Sequence, residues 1–293
     1  MAGDVIRLEA DGLAVEASPL GGAILSAYWH GIPVLAPTPS PGLASTMLGA
    51  EACFPLVPFG NRIENNGFRF EARDHVLLPN TADPLVLHGD GWLRRWTLAE
   101  RTPHRIVFHH RHEADAASPF DYEAAQTIAL GKDCLTLSLD IVNRAAGTLP
   151  YGLGFHPYFP RTPAVRLFAS AGRYAPEREL HLPAQSEPVP HDLDFSAGAP
   201  LPARWLNNAF DGWDSAADIE YPETGLILSL EADDTFRFFT LYAPAPEAGF
   251  FCFEPMTHRP NAHNAPDTDG LVPLAPGERL AGTLTIRCRR GEA

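Results

Sequence analysis

The stretch Leu135-Thr136-Leu137-Ser138-Leu139-Asp140-Ile141 carries an apolar side chain at every second position and a polar one between them. Successive side chains of a strand point to opposite faces, so this period predicts a β-strand with one face on a core and the other toward water or a second layer. The same alternation recurs in Leu226, Leu228 and Leu230, in Leu284, Ile286 and Cys288, and in Ile106, Phe108, His110 and His112. Near the start, Ile6, Leu8 and Ala10 lead into Asp11-Gly12, and Leu13, Val15 and Ala17 follow; alternation flanking Asp-Gly is a strong hairpin signal. Phe68 and Phe70 after Asn66-Gly67 read as another hairpin arm.

No long window places apolar residues at i, i+3, i+4 and i+7. The 29 prolines, about twice the usual share of roughly 5%, also disfavour helix. Short helical turns are expected around residues 114–117 and 202–206, and the proline- and serine-rich residues 37–42 read as a surface loop. The fold class is all-β, a large antiparallel β-sandwich, with residues 1–293 forming a single domain and one sheet able to hold a ligand.

Composition narrows the function. The net charge of −14 argues against nucleic acid, an anionic membrane surface or a highly anionic substrate as the main partner. No run approaches a membrane-spanning length, and Met1-Ala2-Gly3-Asp4 lacks the basic start of a signal peptide, so a cytoplasmic protein is expected. Cys53, Cys134, Cys252 and Cys288 stand singly, with no CxxC pair, and read as small buried thiols. No Gly-rich phosphate loop, GxSxG elbow or HExxH is present.

Polar groups set among aromatic residues mark the candidate site. His156 stands in Tyr151-Gly152-Leu153-Gly154-Phe155-His156-Pro157-Tyr158-Phe159-Pro160, where the following proline favours extended backbone at a strand end. Imidazole exchanges protons near neutrality. Glu254, between Phe253 and Pro255, is expected to be partly buried, where desolvation raises a carboxyl pKa and suits it to acid or base work. Asn61-Arg62 after the apolar Phe54-Pro55-Leu56-Val57-Pro58-Phe59 run offers the mixed donors and acceptors a sugar needs. His88-Gly89 lies beside Trp92 and Trp96, whose flat faces would suit pyranose rings, and Asn207-Asn208 lies near Asp211, Trp213 and Asp214. The His109-His110-Arg111-His112 run is metal-like in composition, but alternation parts His109 from His110, and a solvated strand is the expected reading. His258, His263 and Asp267 show no standard zinc spacing.

In chain order, Asn61-Arg62, His88-Gly89, Gly154-Phe155-His156-Pro157-Tyr158-Phe159 and Glu254-Pro255 resemble the aldose 1-epimerase family, the galactose mutarotase-like proteins. The resemblance implies a β-supersandwich with its site on a concave sheet, no metal and no cofactor, and an isomerase that interconverts the α and β anomers of a free aldose. It implies His156 as general acid, Glu254 as general base, and Arg62 and His88, with Asn61 beside them, as residues that hold the small-molecule sugar. One departure stands out: the family often has an aspartate for sugar hydroxyls where this chain has Asn207, with Asp211 the nearby carboxylate that would substitute. Opening a hemiacetal removes the anomeric hydroxyl proton and protonates the ring oxygen. The expectation is therefore an acid and a base on opposite sides of one ring, with Glu254 taking the first proton and protonated His156 supplying the second. Two alternatives are a mutarotase for a phosphorylated sugar, using Arg73, Arg94 or Arg95, and a non-catalytic carbohydrate-binding or regulatory module on the same fold.

Overall fold

A computed structural model describes residues 5–37 and 51–291. Beyond Pro37, the loop expected at residues 37–42 lies outside the described residues, as does the segment 1–4.

The alternating leucines become the strand Cys134–Asn143, which pairs antiparallel with Tyr122–Gly131 on one side and Arg279–Arg290 on the other. Leu135, Leu137, Leu139 and Ile141 are each at most 1% exposed, while Thr136 and Ser138 face Thr285 and Thr283 across the ladder. Burial of a leucine side chain contributes roughly 1.5–3 kcal/mol, so this face alone fixes the register. The sheet built on it has nine strands, in the order Ala199–Pro200, Arg166–Ala169, Ala216–Tyr221, Leu226–Ala232, Arg279–Arg290, Cys134–Asn143, Tyr122–Gly131, Arg105–His112 and Thr97–Arg101.

A second, seven-stranded sheet runs Arg173–Ala175, Leu206–Asp211, Phe238–Ala243, Phe250–Met256, Gly154–Phe155 and Pro55–Leu56, with Tyr158–Pro160 paired beside Phe250–Met256. Leu137 and Leu284 of the first sheet share one buried apolar cluster with Phe239 and Phe253 of the second, as a sandwich requires. The Ile6–Ala10 and Leu13–Ser18 hairpin forms as expected, with Asp11 and Gly12 both at positive φ.

Phe68 and Phe70 lie on the expected hairpin arm: Gly67–Phe70 pairs with Arg73–Val76 through a turn at Glu71 and Ala72, at φ of 47° and 63°. Two sequence expectations need correction. The helical turns expected at residues 114–117 and 202–206 are absent, the first because Asp115 Oδ1 accepts from the Ala117 and Ser118 amides and closes a side-chain turn instead. His110 and His112 are buried, not solvated, and lie against Asp90 and Tyr122, whereas His109 is exposed. Among the described residues helix is confined to three-residue 3-10 turns, and no helix is long and apolar enough to cross a membrane.

Because Leu139 sits between two partner strands and is 1% exposed, Leu139→Ala leaves a cavity that neighbouring strands cannot collapse to fill. Urea unfolding should show a loss of about 2–5 kcal/mol; a loss below about 1 kcal/mol would contradict the packing described.

Candidate active site

The second sheet carries the candidate residues to one end of its central strands. Glu254 lies within Phe250–Met256, opposite Thr240, and His156 follows the short Gly154–Phe155 strand that pairs with the same element at Met256. The glutamate is thus inside the strand, not after it as its sequence setting implied. Asn207 lies on Leu206–Asp211, opposite Tyr242 of Phe238–Ala243. Asn61 and Arg62 leave Pro55–Leu56 by the Val57–Gly60 connection. Asn61, Arg62, His88, His156, Asn207 and Glu254, all expected from sequence, line one cleft of about 250 Å³.

Asn61 and His88 are clasped together. The His88 amide donates to the Asn61 carbonyl at 2.8 Å, and the Asn61 amide donates to His88 Nδ1 at 2.9 Å. A backbone N–H can only donate, so Nδ1 is bare and the neutral ring carries its proton on Nε2. Burial, followed by the charges of His156 and Arg62, holds the His88 pKa well below its usual value, in agreement with that tautomer. Both residues have positive φ, 60° for Asn61 and 59° for His88, a conformation sustained here by the clasp. Asn80 fixes the turn from outside: its Nδ2 donates to the carbonyls of Leu87 and Gly89, and its Oδ1 accepts from the Leu87 amide. Gly89 cannot be replaced here, since a Cβ would stand 2.3 Å from the Val57 carbonyl oxygen.

Arg62 donates through Nε and Nη2 to Asp83 Oδ2 at 2.9 and 2.7 Å. Burial alone would raise the Asp83 carboxyl, but bonds from Arg62 and the Leu85 amide outweigh it and hold the group ionised. The cation at the cleft wall is therefore balanced from behind. His258 is a support, not a ligand: its Nε2 accepts from the Gly60 amide at 3.0 Å and its Nδ1–H donates to the Arg259 carbonyl at 2.8 Å.

The centre of the cleft is the pair His156 and Glu254, with Nε2 3.4 Å from Oε1 and the residues 6% and 2% exposed. Phe54 and Tyr158 stack against the imidazole at 4.6 and 4.9 Å between centroids, and His88 meets it edge-on at 5.2 Å. His156 Nδ1 and Glu254 Oε2 are buried and have no hydrogen-bond partner among the described residues. Although the separation is within ion-pair range, burial drives both groups toward their neutral forms. It lowers the His156 pKa to about 3 and raises that of Glu254 to about 8, the latter against an opposing pull from Arg62. Burial favours the neutral form of both groups, and the attraction available between the two charges at 3.4 Å opposes it. His156 and Glu254 thus lie side by side in the cleft, and burial favours a proton on Glu254 over one on His156.

Around Asn207 the structure supplies what the sequence reading missed. Its Nδ2 donates to Glu177 Oε1 at 2.8 Å, and the same carboxylate accepts from Trp205 Nε1 at 2.6 Å and from His181. Burial would raise the Glu177 pKa, yet the bonds from His181, Asn207 and Trp205 hold it below the usual carboxylate range. With Nδ2 turned to Glu177, Oδ1 is the Asn207 atom left to face a ligand. Asp211 is no substitute: it is engaged by Arg259 and Ser186 and does not line the cleft. His181, Trp205 and Tyr242 complete the wall, and Trp205, 46% exposed, meets Tyr242 edge-on at 5.2 Å. The tryptophans singled out in the sequence do other work. Trp92 and Trp96 are buried and donate to the Leu87 and Gly91 carbonyls, and Trp213 is buried and donates to Ala216. Only the exposure of Trp205 marks it as different, and exposure has no sequence signal.

The structure is an all-β sandwich with a buried His–Glu pair at the floor of a polar cleft. The family profile described as "Aldose 1-epimerase" matches residues 4–287, and the chain belongs to the aldose 1-epimerase family. The chain is 36% identical over 291 residues to the uncharacterized protein YphB of Escherichia coli K12, covering 97% of this chain and 98% of that one. A crystal structure from E. coli K12, described as a candidate aldose 1-epimerase, superposes with a TM-score of 0.92 at 35% identity, over 98% of this chain and 99% of that one. The fold is shared more widely: galactose 1-epimerase from Lactobacillus acidophilus NCFM gives a TM-score of 0.82 at 16% identity, over 98% and 95% of the two chains.

The clasp makes a spectroscopic prediction. Nitrogen NMR of the imidazoles should show His88 with its proton on Nε2 and His258 with its proton on Nδ1, both rings neutral throughout the neutral pH range, since burial lowers the His258 pKa to about 4. A doubly protonated His88 at pH 7, or its other tautomer, would contradict the geometry.

Proposed function

We propose that the protein is a mutarotase that interconverts the α and β anomers of a free aldose by general acid–base ring opening and reclosure. The observation that carries this reading is the 3.4 Å separation of His156 Nε2 and Glu254 Oε1 in the cleft. The anomeric hydroxyl and the ring oxygen are both bonded to C1, so the groups that exchange protons with them must themselves be neighbours.

In the direction the family resemblance implies, Glu254 takes the hydroxyl proton while His156 delivers one to the ring oxygen. This step starts from the ionised pair, which burial disfavours, and Arg62 favours that form by its charge on Glu254. Ring opening leaves Glu254 protonated and His156 neutral, which is the form burial favours. The free aldehyde turns about its C1–C2 bond. Reclosure then runs the transfers backward: the ring hydroxyl returns its proton to His156, and Glu254 protonates the new anomeric oxygen.

The surrounding groups support a neutral polyol. His88 Nε2–H donates, Asn207 Oδ1 accepts, and Trp205 and Tyr242 offer apolar faces to a ring. At about 250 Å³ the cleft is smaller than the roughly 300–1,000 Å³ of drug-sized sites, which suits one monosaccharide. Arg73, Arg94 and Arg95 do not line it, and Arg62 is already balanced by Asp83, so a phosphorylated sugar has less support. We place the protein in the cytoplasm, where four cysteines without disulfides are at home.

Polarimetry and NMR anomer exchange, run across free hexoses, pentoses and sugar phosphates, test the reading. Glu254→Gln and His156→Asn, checked as folded by near-ultraviolet circular dichroism, should each lose about 10²- to 10⁴-fold in rate. Unchanged rates would overturn the assignment, and sugar binding without any rate enhancement by the wild type would indicate a binding module instead.

The pH profile gives a second test. The working pair holds one proton, and Glu254 gives it up at about 8, so kcat/KM should be level through neutral pH and fall above about 8 once the uncatalysed rate is subtracted. An alkaline limb that persists unchanged in Glu254→Gln would contradict this origin.

A further inference from the structure

Beneath the acid–base pair the Phe250–Met256 strand presents a third ligand-type side chain. Cys252 lies two residues before Glu254, so strand alternation puts both on one face. One ligand atom each from His156, Cys252 and Glu254, an imidazole nitrogen, a sulfur and a carboxylate oxygen, lie within 4.8 Å of one another, and all three residues are buried. This donor set is one that Zn²⁺ accepts, with three protein ligands and a fourth position open. Metal–ligand lengths of about 2.0–2.3 Å place tetrahedral ligands roughly 3.3–3.8 Å apart. The His156 to Glu254 separation of 3.4 Å already meets that, and the sulfur needs to approach by no more than about an ångström.

Two further observations point to a ligand here. Glu254 Oε2 is buried without a partner among the described residues, so the carboxyl has coordinating capacity to spare beside the Oε1 that faces His156 Nε2. Both side chains also line the cleft, which provides an entry path and a fourth, solvent-side position. Cys252 is a free, fully buried thiol.

We propose that His156, Glu254 and Cys252 form an inhibitory site for a thiophilic divalent cation of the Zn²⁺ class at the floor of the cleft. Binding forms metal–sulfur and metal–oxygen bonds as the Cys252 S–H and Glu254 O–H bonds break, and both protons leave to solvent with no change in oxidation state. The ion occupies the lone pairs that proton transfer requires, so it stops turnover; this consequence rests on the mutarotase reading, whereas the binding itself does not.

The experiment uses the full chain after chelator treatment. Calorimetric titration with zinc chloride should give one ion per chain, and Co²⁺ substituted as a probe should give a thiolate-to-cobalt charge-transfer absorption. Cys252→Ser should abolish that absorption and weaken zinc binding by about 10- to 100-fold or more. Cys252→Ala serves the same purpose should the serine hydroxyl disturb folding, and Cys288→Ser, on the other sheet, should leave both signals intact. Zinc inhibition of anomer exchange, scaled to each variant's own metal-free rate, should weaken in parallel with binding. Absence of stoichiometric binding, a cobalt spectrum without the thiolate band, or equal zinc affinity in wild type and Cys252→Ser would overturn the proposal. The spectrum and the isotherm are read without sugar, so they distinguish failure of the metal site from failure of the mutarotase reading.

Discussion

The arrangement depends on burying an imidazole and a carboxyl side by side. In water His156 and Glu254 would ionise and attract; in the cleft, burial acts against both charges and leaves a neutral acid beside a neutral base. The attraction between the two charges at 3.4 Å and the nearby Arg62 cation both act against burial, so the two forms compete. A pair held that way can move a proton in either direction, which an anomerisation needs because opening and closing are the same transfers reversed. A strongly stabilised ion pair would lack that freedom.

Much of the neighbouring structure keeps this pair dry, still and free of stray charge. Phe54 and Tyr158 hold the imidazole by stacking, and Glu254 is fixed by strand pairing at Thr240. Charges close to the cleft are paired away from it: Arg62 by Asp83, and Glu177 by three side-chain donors. His88 and His258 are committed to a neutral tautomer by backbone amides that can only donate. The result is a wall of donors and acceptors in which the Arg62 cation is balanced by Asp83. At Asn207, Glu177 accepts from Nδ2 and leaves Oδ1 as the free acceptor of the amide.

The fold was legible because strand alternation survives in a single sequence. Leu135 to Ile141, the Asp11-Gly12 hairpin and the closing Leu284 to Cys288 run all adopt the geometry their spacing predicts. Asn61, Arg62, His88, His156, Asn207 and Glu254 were legible as well, through the order of their motifs, and they line one cleft. What escaped depends on contacts between distant segments. Nothing near Glu177 announces that it meets Trp205 and Asn207, about thirty residues on, and local sequence does not tell a buried tryptophan such as Trp96 from the exposed Trp205. The protonation of His156 was also out of reach, since it is decided by burial and not by residue type.

The central claim is that the buried pair holds one proton, resting on Glu254 at neutral pH. Difference infrared spectroscopy of wild type against Glu254→Gln, followed as a function of pH, observes that proton directly. The account predicts a protonated-carboxyl carbonyl band at pH 7 that belongs to Glu254 and disappears as pH rises through about 8. A Glu254 that shows only the carboxylate bands at pH 7 would contradict it.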